Sequence, residues 1–201
     1  MDITSPIRLE GQTVRLEPLS MQHYPDLLEL IFDSDLQYQF NFFNGRPDTP
    51  EHLQAWIENL MTLSQEPTWK AFAVIELSSH KAIGSTSYLD ISPKDKRYEI
   101  GSTWYGRQFW RTKINSECKY LLLQYAFETL EANRVQLKTD LRNQRSQAAI
   151  ERLGAVREGI LRAHMVLPDG YVRDSVMYSI IRSEWPAVKA RLERFLAGPQ
   201  N

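Results

Sequence analysis

Residues 99–119, EIGSTWYGRQFWRTKINSECK, hold the densest chemistry in the chain. The alternation leading into Trp104 and Tyr105 is that of a strand. Three cations follow it, Arg107, Arg111 and Lys113. Then comes the three- and four-residue apolar spacing of a helix, with Asn115 in position to cap it and Glu117 in its first turn. A cationic loop that runs into a helix N-terminus favours an anion, because the unpaired backbone N–H groups and the helix dipole add to the side-chain charge. Glu99, on the strand before the loop, is a candidate general base. A solvated glutamate with pKa about 4.3 is a weak base, so the role requires burial or a water relay. The competing role for Glu99 is structural, as a partner of Arg97 or Lys96. A second polar pair, Asn143 and Ser146, has N-cap spacing at the start of another amphipathic helix.

Other chemistries lack their residues. There is no G-x-x-x-x-G-K-[ST] or G-x-G-x-x-G phosphate cradle, no H-E-x-x-H and no G-x-S-x-G elbow. The four histidines, His23, His52, His80 and His164, are scattered, so no metal is expected. The single cysteine, Cys118, falls on an apolar helix face and reads as a small buried hydrophobe. With 24 basic and 25 acidic residues the net charge is -1, which gives no field for nucleic acid. The composition, 42% hydrophobic and 24% charged, is that of a folded chain. No apolar run approaches the roughly 20 residues of a membrane span, and the N-terminus lacks a signal-peptide pattern. The expectation is one domain over residues 1–201, ordered over about 9–197, in the cytoplasm.

The positioning elements follow from periodicity. Strands are expected at 13–19, 69–77, 82–91, 97–104 and 134–139, with a hairpin of 155–166 and 171–181 about Pro168-Asp169-Gly170. Helices are expected at 21–32 after Ser20, from Thr49-Pro50, from Asn115, from Asn143 to a Gly154 stop, and from Ser183 to about 196. This order predicts an α/β (α+β mixed) fold with a central mixed, twisted sheet of about seven strands flanked by helices. The strand at 97–104 runs parallel to that at 134–139.

In order and spacing, GQTVRLEPLS, AFAVIE, KAIGSTSYLDI, EIGSTW, RTKINSECKYLLLQYAFE, RVQLKTDLRNQRSQAAIERLGAVREGILR and PDGYVRDSVMYSI resemble the GCN5-related N-acetyltransferases (GNAT). More narrowly they resemble the branch with the ribosomal-protein N-terminal acetyltransferases, and the resemblance extends over nearly the whole chain. It implies the GNAT fold, with its fourth and fifth strands splayed apart, and acetyl-CoA as cosubstrate. Trp104 and Tyr105 would lie along the pantetheine. Arg111, Thr112, Lys113, Ile114 and Asn115 would hold the pyrophosphate. Asn143 would contact pantetheine, and Ser146 would lie near the sulfur. The loop departs from the family's Q/R-x-x-G-x-G/A pattern, since Trp110 to Asn115 contain no glycine. Its amides can still point inward if φ stays negative, with Lys113 adding charge.

Acetyl transfer to an amine requires a base, donors for the developing oxyanion, and a proton for the departing thiolate. Glu99 is assigned the first role and Ser146 the last, with Tyr105 as its substitute. The acceptor is a primary amine, on a protein or peptide N-terminus, or alternatively on a small molecule such as an antibiotic, polyamine or amino acid. A non-catalytic acyl-CoA-binding module is the reading from a different class. The acceptor pocket is expected between the first two helices and the last hairpin. The run QYQFNFFNGRP, with Tyr38, Phe40, Phe42 and Phe43, would act there as a lid or a homodimer contact, and Trp56 would be core. Glu158, Arg162 and Asp174 are expected to form a charged network on the last hairpin.

Overall fold

A computed structural model describes residues 6–31 and 49–198. The aromatic run at 37–47 lies outside the described residues.

The strands are β1 (Leu9–Glu10), β2 (Val14–Pro18), β3 (Lys70–Glu76), β4 (Ala82–Ser92), β5 (Arg97–Tyr105), β6 (Arg134–Asp140), β7 (Val156–Val166) and β8 (Val172–Ile181). They form one sheet in the order β1-β2-β3-β4-β5-β6-β8-β7. This is one strand more than the expected seven. The two residues of β1 are too short to show a period in sequence, and pairing with Arg15 and Leu16 makes them a strand. The β5–β6 pair is parallel, and the other neighbours are antiparallel.

Successive residues of β3 divide between two cores. Ala71, Ala73 and Ile75 pack with Leu27, Leu53, Ile57 and Leu60, from α1 (Tyr24–Ile31) and α2 (Pro50–Leu63). Phe72 and Val74 pack with Cys118, Leu122 and Leu192, from α3 (Ile114–Gln124) and α5 (Trp185–Ala197). Because strand side chains alternate in direction, these are layers on opposite faces of the sheet. The remaining helix, α4 (Gln144–Leu153), adds Ile150 and Leu153 to the second layer.

Several helix ends lie where the capping signals place them. Thr49 Oγ1 accepts from His52 N at 3.2 Å, with Pro50 opening α2. Asn143 Oδ1 accepts from Ser146 N at 3.0 Å at the start of α4. Gly154 closes α4 at φ 102°, a left-handed position that glycine enters without a Cβ penalty. The expected cap at Asn115 is not formed, because α3 starts two residues earlier and Lys113 is its N-cap. Asn115 lies inside the first turn, where its Oδ1 accepts from the Tyr105 hydroxyl at 3.3 Å. Past Gln124 the α-helix widens into a π turn at Tyr125–Thr129.

The feature that shapes the site is the parting of β5 from β6. Their pairing covers only Arg97 to Glu99 against Arg134 to Gln136, although both strands continue. Two local causes draw the end of β5 toward β4. First, Ser85 pairs with Trp104 and Ser87 with Gly101, so β5 carries one extra residue, and Ser102 sits at φ 48°. Second, Gly84 lies so close beneath β5 that an added Cβ would stand 2.1 Å from the Trp104 carbonyl oxygen.

Candidate active site

The gap opens into a continuous cleft of about 1910 Å3. Its lining includes Glu99 to Tyr105, Arg111 to Asn115, Thr139, Asn143, Arg145 and Ser146. The structure therefore brings every candidate catalytic and cofactor-binding residue of the sequence analysis to one cavity, from strands, loop and two helix starts that are distant in the chain.

At one end lies the N-terminus of α3, which no side chain of its N-cap residue closes. Arg111 precedes it at φ 61°. This corrects the expectation of negative φ throughout the loop: the turn is left-handed without a glycine. Arg145, in the first turn of α4, stands over the Trp110 ring at 4.2 Å. Burial, then the neighbouring Arg111 charge, push its guanidinium pKa down, which places two cations side by side at this mouth. Trp110 is itself fixed by its indole N–H, which donates to the Tyr105 carbonyl at 3.0 Å. Lys113 does not serve as expected. Its ammonium turns away to the C-terminus of α5, donating to the Leu196 carbonyl at 2.8 Å and to that of Gly198. Arg145, which lines the same cleft, is the other cation near this mouth. The sequence carries a signal for Arg145 only in its position two residues past the Asn143 cap.

Trp104 and Tyr105 end β5 on opposite faces. Trp104 meets Trp56 edge-on, with centroids 6.0 Å apart, in the α1–α2 layer, so Trp56 belongs to the core as expected. Burial raises the Tyr105 phenol well above its usual pKa, and the group lies against Asn115 and Cys118. Burial also raises the Cys118 thiol to about 12, which keeps it protonated and unreactive. On α4, Ser146 is half-buried, and Asn143 is a cap that also faces the cleft.

At the floor of the gap, Glu99 is 1% exposed. Its partners are not the expected ones: Arg97 pairs with Asp90 at 2.5 Å and Lys96 with Glu131 at 2.8 Å. Glu99 instead accepts from the Lys138 ammonium, at 3.0 Å and 3.2 Å to its two oxygens, and from Gln136 Nε2 at 2.9 Å. Both donors come from β6, so the carboxylate bridges the strands just where their backbones part. The hairpin network also fails to form as expected. Glu158 pairs with Arg134 at 2.5 Å, while Asp174 accepts from Ala163 N at 2.7 Å. No group of ligands suited to a metal ion occurs among the described residues.

A family model described as an acetyltransferase (GNAT) domain matches residues 13–156, well over half of the chain. The chain belongs to the GNAT acetyltransferases. A solved structure described as a "putative acetyltransferase" from T. thermophilus is 44% identical, with a TM-score of 0.84, over 96% of this chain and 98% of that one. The Bacillus subtilis (strain 168) protein named "Putative ribosomal N-acetyltransferase YdaF" is 33% identical over 106 residues, 53% of this chain and 57% of that protein. The match thus spans little more than half of that relative's length. Mycobacterium smegmatis RimJ in complex with CoA-disulfide shares the fold, with a TM-score of 0.79, at 17% identity over 95% of this chain and 93% of that one. As a GNAT acetyltransferase, the chain carries the family's parted parallel strands on β5 and β6. No described helix is long and apolar enough to cross a membrane.

Proposed function

We propose that this GNAT protein transfers the acetyl group of acetyl-CoA to a primary amine, with a protein or peptide N-terminus as the first acceptor class to test. The observation that carries the reading is the gap between β5 and β6 leading to the open N-terminus of α3. A flexible pantetheine arm fits along such a gap, and a pyrophosphate fits at such a helix end. The residues suit the ligand. Residues 111–115 and Arg145 line one mouth of the cleft. Ser102 Oγ, which lines the gap, is buried without a hydrogen-bond partner. Acetyl-CoA supplies the activated acyl group. The chain's own residues align donor and acceptor, and that proximity lowers the barrier. Glu99 accepts the amine proton, with its carboxylate held in place by Lys138 and Gln136. Ser146, which lines the same cleft, is the proton donor for the leaving thiolate.

Calorimetric titration with acetyl-CoA, free CoA and ATP tests the cosubstrate. Acetyl-CoA and CoA bind and ATP does not. Replacing Arg111 and Arg145 together by alanine weakens acetyl-CoA about ten-fold or more, and the salt dependence of binding falls with it. No binding by the wild-type chain would end the reading. With an acceptor in hand, Glu99→Gln lowers kcat about 100-fold while acetyl-CoA affinity stays unchanged. An unchanged kcat would remove Glu99 from the chemistry.

A further inference from the structure

The cleft wall beyond Glu99 holds a charge that forms no ion pair among the described residues. Arg173 on β8 is 4% exposed and lines the cleft beside Lys138, Thr139 and Met165. Its Nε is buried with no hydrogen-bond partner, and no ion pair joins its guanidinium among the described residues. Ser175, two residues along on the same face of β8, has a buried Oγ that is likewise unpartnered.

Nearby carboxylates offset Arg173 only in part, because each is already engaged. Glu99 is held by Lys138 at 3.0 Å and Asp140 by Arg142 at 2.8 Å. Asp90 is held by Arg97 at 2.5 Å. Asp174, the neighbour on the same strand, points to the opposite side and accepts from Ala163 N at 2.7 Å. Lys138 and Arg142 already hold Glu99 and Asp140, and Arg173 adds a further positive charge beside them. The His164 pKa is lowered by burial and then by Lys138 and Arg173, with Glu99 opposing them. Burial also disfavours the charge on Arg173 more than Asp140 and Glu99 favour it. An arginine does not shed its proton, so the free protein carries that cost.

Such a cost is removed when an anion arrives. The position is specific: Tyr98, Ile100, Val176 and Tyr178 pack in the layer under α3 and α4, so strand alternation puts Glu99 and Arg173 together on the opposite face of the sheet, whereas Arg145 belongs to α4. We infer that the acceptor amine carries a carboxylate, and that Arg173 receives this carboxylate while Glu99 faces the amine. The inference rests on the acetyl-transfer reading and narrows its acceptor. A planar guanidinium takes a carboxylate through two parallel hydrogen bonds, which gives direction as well as charge. The carboxylate could be the α-carboxylate of a free amino acid or an acidic side chain beside a peptide N-terminus.

The test uses matched amines with acetyl-CoA, read as thiol release: serine against serinamide, and the tripeptide amide Ser-Asp-Ala against Ser-Asn-Ala. The wild type favours the carboxylate member of at least one pair about ten-fold or more in kcat/KM, and the pair that shows the preference identifies the source. Arg173→Met abolishes the preference through KM while retaining kcat, and Arg173→Lys keeps part of it. Equal rates for both members of each pair, or a preference that survives in Arg173→Met, would overturn the inference. Should no amine release CoA although acetyl-CoA binds, the transfer reading fails. Arg173 is then judged by melting in the presence of CoA with glutarate as the carboxylate. Stabilisation of the wild type but not of Arg173→Met upholds the anion site, and equal responses remove it.

Discussion

Replacing Gly84 by alanine destabilises the protein by on the order of 3 kcal/mol and weakens acetyl-CoA binding in whatever fraction remains folded. A Cβ at this position lies 2.1 Å from the Trp104 carbonyl oxygen and 2.9 Å from the Tyr105 Cα. Both obstacles are backbone, so no rotamer change relieves the overlap, and β5 must lift off β4. The register there pairs Gly84 with Tyr105, and the next amide, Gly106 N, donates to the Ile83 carbonyl at 3.0 Å. Lifting β5 therefore breaks pairing at the strand end and moves it back toward β6, narrowing the gap. Denaturant melts measure the first effect and calorimetry the second. Gly159→Ala is the control, because its added Cβ meets nothing within 4 Å. If Gly84→Ala melts within about 1 kcal/mol of the wild type, close approach of β5 to β4 is not what holds the gap open.

Replacing Lys119 by methionine has the opposite sign at neutral pH: it stabilises the fold by about 3 kcal/mol. Lys119 projects from α3 and is 6% exposed. Its ammonium donates to the Thr103 hydroxyl at 2.7 Å, and no carboxylate pairs with it among the described residues. Burial pulls its pKa from 10.5 to about 8. In the unfolded chain the proton stays on up to about pH 10.4. Below about pH 8 both states hold the proton, and the folded state carries the full cost of a buried charge. Between about pH 8 and 10.4 the unfolded state binds more protons, so wild-type stability rises with pH. The gain from Lys119→Met is accordingly largest at neutral pH and fades as pH climbs through that window. The Thr86 and Thr103 hydroxyls, 2.8 Å apart, still bond each other in the variant. Melts at pH 7 and pH 10 decide the matter. A destabilised variant at pH 7, or a gain that does not shrink by pH 10, would show that Lys119 is held by favourable interactions rather than against a burial cost.

Local signals in the chain settled much of the architecture. Thr49, Asn143 and Gly154 mark helix ends because capping depends on residues three or four apart, and period-2 runs mark the strands because one face of each is buried. The cationic loop before α3 and the Asn143–Ser146 pair were legible for the same reason, since each lies within one turn of a helix start. Glu99 was legible as a candidate, but its partners were not. Lys138 and Gln136 lie nearly forty residues away and reach it only because β5 and β6 pair in parallel. The same holds for Lys113, whose partners at the end of α5 lie more than eighty residues on, and for Arg145, which meets Trp110 across the cleft mouth. Arg173 reads in sequence as one more arginine on a hairpin, and only the packed sheet shows it buried and unpaired. Local patterns along the chain were enough for most helices and strands, though not for β1 or the start of α3, and for the resemblance to the GNAT acetyltransferases. The tertiary structure alone decided which charges are neutralised, because burial and distance, not position along the chain, govern the energy of a charge.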